Sequence, residues 1–216
     1  MRNISNETLL HSLHWRYATK KFDPTRKLSE GDWNTLAESL RLSASSYGLQ
    51  PWKFIVVQDP SIRASLQPAS WGQSQVVDAS HYIVFTSRTT VDTSYIESHI
   101  QNVASTRGLD PKTLDGYKNF MIQKIVHEKT PNEIIHWTQR QAYIAMGSLL
   151  QSAALLQIDA CPIEGIEPAQ YDKILGLQHT PYRTVATVAL GYRHDKDKNQ
   201  FMSKVRFPSQ DVIEYR

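Results

Sequence analysis

The sequence predicts an α+β layered fold in a single domain spanning residues 1–216. Three observations predict it: strand-like runs are few and far apart, long helical segments lie between them, and no linker, repeat or low-complexity stretch divides the chain.

The runs at 53–58, 81–86 and 184–190 are short, rich in β-branched or aromatic residues and bounded by Pro, Ser or Gly, so each is read as a strand of one sheet. Residues 29–42 open on Ser29 as a candidate cap, with Asp32 following and Trp33, Leu36, Ala37 and Leu40 at amphipathic spacing, which predicts a helix. Asp59-Pro60, Asp110-Pro111 and Glu167-Pro168 place proline where a first helical turn accepts it, and apolar periodicity follows each. Segment 132–157 is helical in length and apolar on nearly all sides after Ala142, as expected of a central helix. The helical excursion at about 92–129 reads as a cover over a site.

An apolar content of 40% with 21% charged residues is enough to build a core without disulfides or metals. The net charge of +3 is small and dispersed, which argues against a nucleic-acid surface. Cys161 is the only cysteine, so an intramolecular disulfide, a four-cysteine zinc site and a cysteine-ligated cluster are excluded. That fits a reducing compartment. The N-terminal residues lack a signal-like apolar region, and the stretch 142–158 is too short and too interrupted to span a bilayer, so a cytoplasmic protein is expected.

No two of the nine glycines lie within three residues of each other, which rules out a GxGxxG fingerprint and a P-loop. His127-Glu128 is not followed by a second histidine at zinc spacing, and there is no GxSxG elbow. No metal site is expected. Cys161, immediately before Pro162, reads as a buried structural thiol.

Four segments remain. In WRYATKKF (15–22), Arg16 and Lys20 share a face whether the chain is helical or extended, and the plainer reading is a solvated basic edge. Lys204 and Arg206 repeat the pattern near the C-terminus, and two such pairs could converge on one phosphate, which spacing alone does not establish. The small-residue loop around Ser45, Ser46 and Gly48 could line a ligand's polar edge or be a plain turn. Gly165, after Pro162, Ile163 and Glu164, permits close approach of a flat ligand or simply connects a strand to a helix.

Taken in order, RYATKKF (16–22), SSYGLQPW (45–52), DASH (78–81), PIEG (162–165) and KVR (204–206) resemble the oxygen-insensitive NAD(P)H nitroreductase family over nearly the whole chain. The resemblance implies a homodimer with a central, mainly antiparallel sheet, a C-terminal strand exchanged between subunits, and flavin mononucleotide (FMN) bound at the interface. It assigns Arg16, Lys204 and Arg206 to the flavin phosphate, with Tyr17, Ala18, Thr19 and Val205 beside them. Lys20 would face the pyrimidine edge, where a cation favours the reduced ring. Ser45, Ser46 and Gly48 would come from the second subunit, while Pro162, Ile163 and the amides of Glu164 and Gly165 would meet the opposite edge of the ring. Phe120, or Met121 if the register slips, would cover the substrate side together with Lys20 and Gln75.

The chain departs from the family's pattern at Tyr17 and Ala18, where His and Ser are common, at Gly72, where an Asn usually reaches the flavin, and at Gln75, where some members carry Lys. The implied activity is two-electron transfer from NADH or NADPH, through FMN, to nitroaromatics, quinones or similar acceptors by a ping-pong mechanism. Reduction of pterins, enones or free flavin on the same fold, or flavin binding without turnover, are the alternatives. No protein nucleophile is required.

Overall fold

A computed structural model of the chain describes residues 4–216. Its sheet has four antiparallel strands, β1 (Trp52–Val56), β2 (His81–Arg88), β3 (Asp159–Ile163) and β4 (Tyr182–Gly191), in the order β1-β2-β4-β3. The central pair is the longest, with Ile83 opposite Val188 and a bulge between Phe85 and Thr86. The first strand ends earlier than the apolar run suggested, because Asp59 turns the chain into the next helix by accepting from the Ser61 and Ile62 amides. β3 lies at the sheet edge, the position in which a strand tolerates a proline such as Pro162.

Alternation along β2 divides the core. Ile83 and Phe85 face α2 (Glu30–Arg41) and the long α7 (Pro131–Leu155), with Leu36, Leu40 and Leu149 in the same cluster. Tyr82 and Val84 point the other way, into a cluster with Leu66, Cys161, Ile163 and Tyr171, beneath α3 (Pro60–Leu66) and α8 (Pro168–Ile174). Caps fix the helix starts: Ser29 accepts from Asp32 N at 3.0 Å, and Thr130 with Glu133 forms a capping box ahead of Pro131.

The excursion is helical throughout its main segments: α5 (Thr93–Arg107), ended by Gly108 in the left-handed region, a tight turn at Pro111–Leu114, α6 (Asp115–Met121) and a π-helical stretch at Ile122–His127. It has its own apolar cluster of Ile96, Ile100, Met121, Ile125 and Ile134. Residues 201–216 contribute no strand to this chain's sheet; they hold a short helical turn at Ser209–Val212 and are exposed almost throughout.

Candidate functional site

Helix α1 (Asn6–Trp15) stops at Arg16, whose backbone is extended, and this settles the helical-or-extended ambiguity of the first basic pair. The chain then runs along the outer edge of β3: Ala18 bridges Ala160, and Thr19 N donates to Ala160 O at 3.3 Å. Asp197, only 2% exposed, holds this segment in place. Its Oδ2 accepts from the Lys20 and Lys21 amides at 2.8 and 3.1 Å and from the Tyr17 hydroxyl at 3.1 Å, while Oδ1 accepts from Asn199 N at 2.9 Å. Burial pushes the Asp197 carboxyl up, but the Lys21, Asn199 and Lys20 amides and the Tyr17 hydroxyl outweigh it and hold the group below its ordinary range.

Asp159 acts similarly from β3, accepting from Arg193 N at 2.7 Å and Arg193 Nε at 2.8 Å. Arg193 is thereby committed, and its guanidinium also lies 4.3 Å from the Trp15 ring. Neither aspartate was singled out from the sequence. Their partners are remote in the chain, and the one local signal, Asp197 two residues before Asn199 at a turn, is common to many loops.

The two basic pairs meet. Arg16, Tyr17, Ala18, Lys20, Lys204 and Arg206 line one cleft of about 370 Å³. Lys204 Nζ donates to Leu13 O at 2.6 Å and to Arg16 O, so it closes the C-terminal end of α1, where a cation complements the helix dipole. Burial first and then Arg206 lower the Arg16 pKa; burial first and then Arg16 and Arg206 lower that of Lys204. Among the described residues no carboxylate forms an ion pair with any of the three. A phosphate fits this donor set, since it accepts a guanidinium fork and relieves the mutual repulsion.

At the end of β3, Pro162 is half-buried, Ile163 is buried, and Glu164 is exposed. Gln73 Nε2 donates to Gly165 O at 2.9 Å. A Cβ at Gly165 would lie 2.7 Å from the Trp71 ring, so any side chain here must displace that ring. Trp71 is 71% exposed and adopts a left-handed backbone at φ 54°, followed by Gly72 at φ 72°. Neither the Glu164 nor the Gly165 amide donates to a group among the described residues. Gln75 and Cys161 are both buried, and burial raises the pKa of the thiol, so the Gln75 side chain is not offered to a ligand in the cleft.

The remaining expected residues lie elsewhere in this chain. Ser46 N donates to Gln141 Oε1 at 2.9 Å, Ser45 Oγ accepts from Gln50 N at 2.9 Å, and Gly48 takes φ 68°, but none of this loop lines the basic cleft. Tyr47 packs on Phe120 with centroids 6.3 Å apart. Phe120 is 50% exposed whereas Met121 is fully buried, so of the two only Phe120 offers an aromatic face to solvent. Val205 is exposed between the two basic residues of the tail. Among the described residues no group of His, Cys, Asp or Glu is arranged to hold a metal, and no helix is long and apolar enough to cross a membrane.

A family model described as the nitroreductase family matches residues 13–192. The chain belongs to the nitroreductase family. A relative in Staphylococcus saprophyticus, named "Putative NAD(P)H nitroreductase", is 37% identical over 221 residues, covering 97% of each chain. The crystal structure of ydfN from Bacillus subtilis superposes with a TM-score of 0.86 at 19% identity, covering 98% of this chain and 100% of that one. A structure from Exiguobacterium sibiricum, solved in complex with FMN, gives a TM-score of 0.81 at 21% identity, covering 100% of this chain and 99% of the other. The nitroreductase fold expected from the sequence is therefore present.

Proposed function

We propose that this nitroreductase-family chain is an FMN-dependent NAD(P)H oxidoreductase that works as a homodimer and passes two electrons to nitroaromatic, quinone or similar electron-poor acceptors. The observation that carries this reading is the convergence of Arg16, Lys204 and Arg206 on one cleft without a carboxylate partner. The FMN found in the Exiguobacterium sibiricum structure and the NAD(P)H in the relative's name support it.

FMN, when bound, supplies the chemistry by taking a hydride from NADH or NADPH and passing two electrons onward. The residues of this chain bind and orient. Arg16 and Arg206 hold the phosphate, and Lys204 keeps the tail against α1 while adding its charge. Lys20 sets a cation at the pyrimidine edge, with its backbone fixed by Asp197. The unpartnered Glu164 and Gly165 amides donate to the other edge.

A second copy completes the site. The Ser45–Gly48 loop does not line its own chain's cleft, and the tail exposes Phe201, Val205, Phe207 and Tyr215, an apolar surface that exchange of the C-terminal segment would cover. The single cysteine, buried and reduced, is in keeping with a cytoplasmic location.

The test is the visible spectrum of the purified protein followed by steady-state NAD(P)H oxidation with menadione. Flavin bands and parallel double-reciprocal plots are expected, because hydride transfer needs stacking at roughly 3–3.5 Å and one face beneath Phe120 admits one partner at a time. A colourless protein that takes up no FMN contradicts the cofactor reading, and intersecting plots contradict the alternation.

A further inference from the structure

The turn that closes β3 is held from two sides. On one, Gln73 donates to Gly165 O at 2.9 Å and Glu167 N donates to Ala69 O at 2.7 Å. On the other, Tyr143 of α7 donates its hydroxyl to Glu164 Oε1 at 2.5 Å. No other hydrogen bond reaches this carboxylate among the described residues. The donor stands on an anchored helix, since α7 is pinned by its capping box and its Ala142, Ala145 and Met146 are buried, although Tyr143 itself is 41% exposed.

Burial first, and then the Glu164 carboxylate, push the Tyr143 phenol up to about 12, so the hydroxyl remains a donor at neutral pH. A carboxylate on the very residue that offers an unpartnered amide stands within one side-chain length of whatever that amide binds. Its charge opposes the build-up of electrons there. A charge-assisted bond from a phenol on this helix turns the carboxylate aside.

We propose that Tyr143 is a positioning residue for the redox edge of the bound flavin: by holding the Glu164 carboxylate towards α7, it keeps that carboxylate off the unpartnered Glu164 and Gly165 amides and limits the opposition of its charge to flavin reduction. This rests on the FMN reading of the site. The residue works through Glu164.

The experiment measures the midpoint potential of bound FMN, and its dissociation constant, in wild type, Tyr143→Phe, Glu164→Gln and the double variant. Tyr143→Phe frees the carboxylate, so binding of reduced relative to oxidised flavin should weaken by about tenfold, or about 30 mV for a two-electron couple. Glu164→Gln should raise the potential, and adding Tyr143→Phe to it should change little, because the charge on which the phenol acts is gone. A purely structural Tyr143 would weaken both flavin states alike and leave the potential unchanged.

Flavin-loaded Tyr143→Phe with the wild-type potential, or an equal shift when Tyr143→Phe is added to Glu164→Gln, overturns the role of Tyr143 alone. Wild type that binds no FMN overturns the underlying reading and this proposal with it. If Tyr143→Phe fails to fold, Glu164→Gln still decides: the potential should rise, and the phenol should titrate lower than in the flavin-free wild type, because the carboxylate that raises it is gone. No change in either contradicts the proposal.

Discussion

Arg63 and the Arg16, Lys204 and Arg206 group are both cationic regions without a carboxylate beside them, and they differ in what stands in its place. Arg63 is buried, and its three nitrogens donate to the carbonyls of Val57, Ala79 and Ser80 at 2.7, 2.6 and 3.0 Å. In the cleft, Lys204 reaches two carbonyls of α1 and Arg206 one of its neighbour, but among the described residues no hydrogen-bond acceptor meets the Arg16 guanidinium. A cation held by backbone oxygens is a component of the fold, tying the residue that follows β1 to the turn before β2. Cations that face one another with donors to spare mark a place for an anion.

The difference can be broken by substitution, and the largest effect is expected at Arg63. Arg63→Met leaves three buried or half-buried carbonyls without their donor, at about 1–3 kcal/mol for each that water does not reach. Urea unfolding should show a loss of roughly 3 kcal/mol or more, whereas Arg16→Met should unfold at or above the wild-type midpoint because it removes repulsion. Equal losses in the two variants would erase the distinction.

Asp197→Asn comes next. Because its folded pKa is depressed, the carboxylate contributes stability that is present above its unfolded value of about 3.9 and is lost as pH falls through the folded value. The variant should lose about 1–2 kcal/mol at pH 7 and show a shallower decline as the pH falls below about 5. An acid-unfolding curve that is merely shifted down, with the same slope, would show that Asp197 is not the titrating group. Lys204→Met should cost the least, under about 1 kcal/mol, since it removes one exposed closure of α1. Its trace should be a looser tail, seen as faster trypsin cleavage at Arg206.

Local chemistry was legible in the sequence. Ser29 and Asp59 start helices through bonds made within three residues, and the β-branched and aromatic run at 81–86 marks β2. The basic pairs were legible as candidates but not as partners, because nothing within residues 16–20 tells of a tail that returns from the far end of the chain. Asp197 and Asp159 were missed for the same reason: Asp197 meets Tyr17 across 180 positions and Asp159 meets Thr19 across 140. Phe120 and Met121 could be separated only by the fold, since adjacent residues on a helix differ by about 100° in direction and one of the two must turn inward. Gln75 shows the converse case, in which a side chain proposed for the substrate is buried.

The most direct test of the central claim compares FMN with riboflavin, which has the same ring and no phosphate. Equilibrium titration of flavin fluorescence should give wild-type protein an affinity for FMN at least about 100-fold above that for riboflavin, from two or more charge-assisted bonds at about 1.5–3 kcal/mol each. In Arg16→Glu with Arg206→Glu that preference should vanish while riboflavin binding is little changed. Equal affinity of the wild type for the two flavins, or an unchanged preference in the charge-reversed protein, would contradict the assignment of this cleft to the phosphate.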